Sequence, residues 1–160
     1  MKKEVKEFNN LKELIHHIAD EYSSHIAFVI KHQNGKEIDY ENITYKKLLE
    51  DINKLGTALF EMGFAGKRIA VIGRNRYEWA ISHLANLLGG IVSVPLDKDL
   101  QYEELESSLI RSKASLIIFD EKLTDKISAI KENGKTELTE FVCMSEIEGF
   151  KSVKELIEQG

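Results

Sequence analysis

From Phe8 to Tyr22 apolar residues recur at Leu11, Leu14, Ile15 and Ile18 with polar residues between them, the stripe of an amphipathic helix. The period then shortens. Ile26–Ile30 is a β-rich apolar run, Asn34-Gly35 is a strong hairpin signal, and a return strand through Ile38 and Tyr40 follows. Thr44 then stands as N-cap before Leu48, Ile52, Leu55 and Leu59, which share one helical face, and Gly63 falls where a C′ glycine would.

From residue 67 short apolar runs alternate with helical segments, which implies βαβ units. Strands are expected at Arg68–Ile72, Ile91–Val94, Leu116–Phe119 and Glu140–Cys143. The first of these is apolar enough to be buried on both faces. Helices are expected at Tyr77–Leu88, apolar nearly all round, at a stripe of Tyr102, Leu105, Leu109 and Ile110, and at Thr124–Lys131. Pro95 is expected to end its strand because it cannot donate to a ladder. Ser152 and Glu155 match a capping box, so a last short helix over 152–159 stops at Gly160. Four strands joined by three crossovers predict an α/β fold: a doubly wound, mainly parallel sheet with flanking helices, plus an N-terminal helix and β-hairpin. No linker or repeat interrupts the chain. A single domain over 1–160 is expected, with helix, hairpin and helix over 1–66 and βαβ units over 67–160.

Composition narrows the partners. Hydrophobic residues make up 42% and charged residues 31% of 160, so a folded globular domain is expected. The formal net charge of −5 argues against nucleic acid or an anionic bilayer as partner. The apolar stretch around Leu84–Leu96 holds glycines and a proline and is too short to span a membrane. Met1–Glu7 mixes basic and acidic residues with no apolar region behind, unlike a secretory leader, so a cytoplasmic location is expected. Cys143 is the one cysteine; it can form no internal disulfide and no zinc site.

Chemistry is sparse. Ligands of open α/β folds sit beyond strand C-termini, yet the first βα turn, Ile72-Gly73-Arg74-Asn75-Arg76-Tyr77, has one glycine where a dinucleotide fingerprint needs three. No P-loop motif occurs. A receiver-type phospho-acceptor would want clustered acids after the first strand as well as Asp120 after a later one. Arg74 and Arg76 could hold an anion at a helix start, but the preferred reading is that Asn75 caps that helix and the arginines are solvated or pair with Glu78. His16 and His17 are adjacent and point to different helix faces. His83, one turn after Trp79, reads as a packing histidine rather than a base. Asp97 and Asp99 read as turn or capping residues, and Cys143 as buried and inert.

Three stretches carry a resemblance. Ile43-Thr44-Tyr45-Lys46-Lys47-Leu48 resembles the Leu-Thr-Tyr-x-Glu-Leu signature near the front of AMP-forming acyl- and aryl-CoA ligases and of peptide-synthetase adenylation domains, with Lys47 in place of Glu. Leu87–Asp97 resembles their segment in which a helix ends on glycine and a strand runs into Val-Pro-Leu. Between them, Ile69–Trp79 is similar to the strand, Asn and Glu-Trp pattern of the acyl-CoA synthetase branch. The order and spacing agree over about residues 8–160.

The resemblance implies the N-terminal part of an ATP-dependent, AMP-forming fatty acid–CoA ligase, with ATP, Mg²⁺ and CoA as the needs of the full-length enzyme and a carboxylic acid as substrate. The family holds triphosphate on a Ser/Thr/Gly-rich loop and places later motifs and a lysine downstream; none of these occurs here. The resemblance therefore assigns no catalytic, cofactor-binding or metal residue to 1–160. It implies an inactive scaffold binding none of those groups alone, partnered by the remainder of its own chain and open to self-association through an exposed apolar patch. The alternatives are a stand-alone anion- or nucleotide-binding module and a fragment of a peptide-synthetase adenylation domain.

Overall fold

A computed structural model of the chain describes residues 6–160; most of the Met1–Glu7 stretch lies outside them. Two compact units divide at Glu50/Asp51.

The first unit opens with α1 (Leu11–Glu21), shorter than the apolar stripe because Asn10 caps it: the Asn10 side chain accepts the Glu13 N–H at 2.9 Å. Strands β1 (Ile26–Asn34) and β2 (Glu37–Thr44) form an antiparallel hairpin with a bulge between Ile26 and Phe28. Its two-residue loop is Gly35-Lys36. Gly35, at φ +65°, takes the first loop position, which a II′ turn reserves for glycine, and Asn34 ends the strand.

Helix α2 (Tyr45–Glu61) begins and ends as its sequence reads. Thr44 Oγ1 accepts the Lys47 N–H at 3.2 Å, and Gly63, at φ +82°, closes a Schellman end in which Phe64 N–H reaches the Leu59 carbonyl at 3.0 Å. Leu48, Ile52, Leu55 and Leu59 are all buried.

The second unit carries a five-stranded, wholly parallel sheet ordered β4-β3-β5-β6-β7. Its strands are β3 (Arg68–Ile72), β4 (Val92–Leu96), β5 (Leu116–Phe119), β6 (Glu140–Cys143) and the two-residue β7 (Lys151–Ser152). The last is too short to leave a period in the sequence. Helices α3 (Tyr77–Leu88), α4 (Tyr102–Ser112), α5 (Thr124–Asn133) and α6 (Val153–Gln159) flank these strands in sequence, with a 3₁₀ turn at Glu121–Leu123 ahead of α5. The Ser152–Glu155 capping box forms as expected, and Gln101 with Glu104 makes a second at α4.

Three expectations are corrected. Pro95 lies inside β4 rather than ending it, paired with Val71. Val92 N–H points at β3, bonding the Lys67 carbonyl, so the alternation of a parallel strand turns the Pro95 nitrogen to the open edge, where no ladder donor is lost. Helix α3 is not covered all round: Ile81, Ser82, Ala85 and Asn86 are buried while Leu87 is 44% exposed. Ile110 likewise faces outward on α4.

Strands β3 and β5 are covered on both faces, with Ile69–Ile72 and Leu116–Phe119 fully buried, as continuous apolar runs in parallel sheets require. One core cluster joins Ile72, Phe119, Leu105, Leu109 and Ile127, and the Phe119 ring meets Phe150 edge-on at 5.0 Å.

Candidate functional site

The chain leaves β3 for β4 on one side, then returns to place β5 on the other side of β3. The crevice beyond the C-termini of β3 and β5 is therefore the switch point at which open α/β sheets take ligands. Gly73-Arg74-Asn75-Arg76 leaves β3 there and Asp120-Glu121 leaves β5, brought level by the Ile72↔Phe119 pairing.

Asp120, 1% exposed, is gripped from three sides. Arg74 Nε donates to Oδ2 at 2.6 Å and Nη2 to Oδ1 at 2.8 Å, a bidentate pair; the backbone N–H groups of Arg74 and Lys122 donate at 3.3 and 3.0 Å. Glu121 bridges onward, accepting from Arg74 Nη2 at 2.6 Å, Arg76 Nη1 at 2.7 Å and Ser145 Oγ at 2.8 Å. Arg76 Nε then donates to Glu78 at 2.5 Å. Burial pushes the Asp120 carboxyl up, but the Arg74 guanidinium and the two backbone donors outweigh it and hold the group below the usual carboxylate range. Glu121 is lowered too: burial is opposed by its own backbone N–H, the Ser145 hydroxyl and Arg76. Carboxylates thus occupy the ground before α3 that a phosphate would need. A Cβ on Gly73 would lie 2.8 Å from Asp120 Cβ, so this glycine serves the close approach of its own protein's side chain. The turn does not fit a triphosphate.

A cavity of about 270 Å³ remains beside the cluster, lined by Gly73, Arg74, Lys98, Asp120, Lys122 and Leu123 among others.

The other singled-out residues lie elsewhere. Asn75 caps nothing: Arg76 occupies the N-cap of α3 without a side-chain bond. His83 Nδ1 lies 2.8 Å from Ser93 Oγ and its ring stacks on Trp79 at 5.2 Å, a packing role. Asp97 Oδ1 accepts the Asp99 N–H at 2.9 Å, an Asx turn, while Gln101 caps α4. Cys143 is buried, and burial raises its thiol. His17 lies 3.4 Å from Glu21 on α1 and shares no ligand with His16 among the described residues. Gly90, at φ +69°, ends α3's turn, while Gly89 passes close to the Ala85 carbonyl. Sequence reasoning missed the Arg74–Asp120–Glu121–Arg76 assembly, although Arg-x-Arg after one strand and Asp-Glu after the strand that pairs with it was its signal.

Residues 15–159 match the family described as AMP-binding enzyme. The chain is 33% identical over 95 residues to fatty acyl-CoA synthetase A of Dictyostelium discoideum, covering 59% of this chain and 14% of that protein. It is 31% identical over 103 residues to long-chain-fatty-acid–CoA ligase 5 of Rattus norvegicus, covering 62% of this chain and 15% of that one. Among solved structures, a long-chain-fatty-acid–CoA ligase from Archaeoglobus fulgidus superposes with a TM-score of 0.81 at 19% identity, over 98% of this chain and 31% of its own. The chain thus spans about a seventh of the length of these curated relatives. No helix among the described residues is long and apolar enough to cross a membrane.

Proposed function

Since the chain belongs to the AMP-binding enzyme family, we propose that it is the N-terminal subdomain, residues 1–160, of a ligase that joins a fatty acid to CoA. In that reaction the carboxylate attacks ATP, giving acyl-adenylate and pyrophosphate, and the CoA thiol then displaces AMP to form the thioester. The observation that carries this reading is the extent of the match, which runs through hairpin, α2 and parallel sheet alike. The residues of the chain act as a platform. The buried β3–β5 centre fixes the strand ends, and the Arg74–Asp120–Glu121–Arg76 cluster holds the loops after β3 and β5, with Ser145 after β6, in one arrangement. ATP, Mg²⁺, CoA and the acid then engage residues downstream, and the subdomain by itself is inactive and cytoplasmic. Its outward Leu87, Val92 and Ile110 favour contact with the remainder of the ligase, or self-association without it.

Carboxylate-dependent exchange of labelled pyrophosphate into ATP tests the reading. The purified 160-residue chain is expected to give none, whereas a chain extended along its reading frame past a Thr-Ser-Gly-Thr-Thr-Gly-like run gives exchange and fatty acyl-CoA. Exchange by the short chain alone would overturn the platform role.

A further inference from the structure

The switch-point cavity has donors left over after the ion-pair cluster is satisfied. Three cations, Arg74, Lys98 and Lys122, face two carboxylates, Asp99 and Asp120, around its wall. Lys98 is spent on Asp99 at 2.5 Å, and Asp120 on Arg74. The Lys122 ammonium has no ion pair or hydrogen bond with any described residue; only its backbone N–H is used, on Asp120. Arg74 spends Nε and Nη2 on the two carboxylates, so the two N–H groups of Nη1 remain. Arg74 and Lys122, which both line the cavity, thus keep guanidinium and ammonium donors unspent, beside Leu123 and Gly73, which make the wall partly apolar.

We propose that this cavity binds a small oxyanion, gripped by Arg74 Nη1 and Lys122 Nζ. Its volume of about 270 Å³ leaves room for phosphate or a short organic acid. The inference rests on the residues of the cavity wall and does not depend on the ligase reading. Bidentate pairing holds Arg74 rigid, which removes most of the ordering cost of recruiting its free donors. An anion seated there would bridge the β3 loop to the turn that begins α5, tightening the cluster further.

The test is a titration of the ¹⁵N-labelled chain with inorganic phosphate and, separately, butyrate, at constant ionic strength set by chloride. Saturable amide shifts at Gly73, Arg74, Lys122 and Leu123 are expected. Phosphate binding tighter than butyrate assigns a phosphoryl group, and the reverse order a carboxylate. Lys122→Gln, at an exposed position that leaves the fold intact, is expected to weaken binding at least tenfold, while Lys54→Gln on α2 leaves it unchanged. Three results would each overturn the site: no saturation, equal shifts from chloride, or undiminished binding by Lys122→Gln.

Discussion

The β1–β2 hairpin and the β3–β5 pair use the same backbone bonds under opposite conditions. The hairpin joins residues close in sequence through Gly35-Lys36 and leaves Val29 57% and Tyr40 60% exposed; β3 and β5 pair Ile69–Ile72 with Leu116–Phe119, and every residue of that pairing is buried. Register therefore has different sources. In the hairpin the loop sets it. Strands apolar on both faces have no alternation to set register, because a one-residue slip exchanges one apolar residue for another. The charged ends of β3 and β5 supply what alternation cannot: only the observed register brings Arg74 onto Asp120 and Glu121.

The comparison is broken most directly by Phe119→Ala, which empties the covered side and should cost about 3–5 kcal/mol in chemical denaturation. Asp120→Asn leaves the strands intact and removes the charge that Arg74 reads. A loss of about 1–3 kcal/mol is expected, since the pair is half open to water on the Arg74 side. The same variant sharpens the point through pH. Asp120 and Glu121 have lowered carboxyls, so their contribution is complete above the unfolded values near 4 and is lost as pH falls through the lower folded values. Denaturation midpoints between pH 7 and pH 2.5 should fall less steeply in Asp120→Asn than in the parent. Gly35→Ala forces an L side chain to φ +65° and should cost about 1–2 kcal/mol, read as faster amide exchange in β1 and β2 with β5 unchanged. Smallest of all, Val29→Thr on the open face should stay within about 0.5 kcal/mol.

Most of the scaffold was legible because its signals are local. Thr44, Gly63 and Ser152 act at helix ends through bonds to residues within five positions, and the runs at 68–72, 116–119 and 140–143 became strands at the expected bounds. What escaped was set by neighbours distant in sequence. Whether Pro95 stops a strand depends on which edge its nitrogen faces, and the place of Arg76 at the start of α3 goes with the Glu121 that draws it from the loop after β5. The candidate site was half legible. Its arginines and Asp120 were each noticed, but that they meet follows only from strand order, which no local pattern encodes.

Pro95 has an effect beyond its own strand. Along the free margin of β4 a stray chain would look for evenly spaced amide hydrogens, and at Pro95 it finds a rung missing. The boundary sealed in this way is the long one, since the opposite margin is only two residues deep. One imino acid thus makes fibril-like stacking along that margin less available.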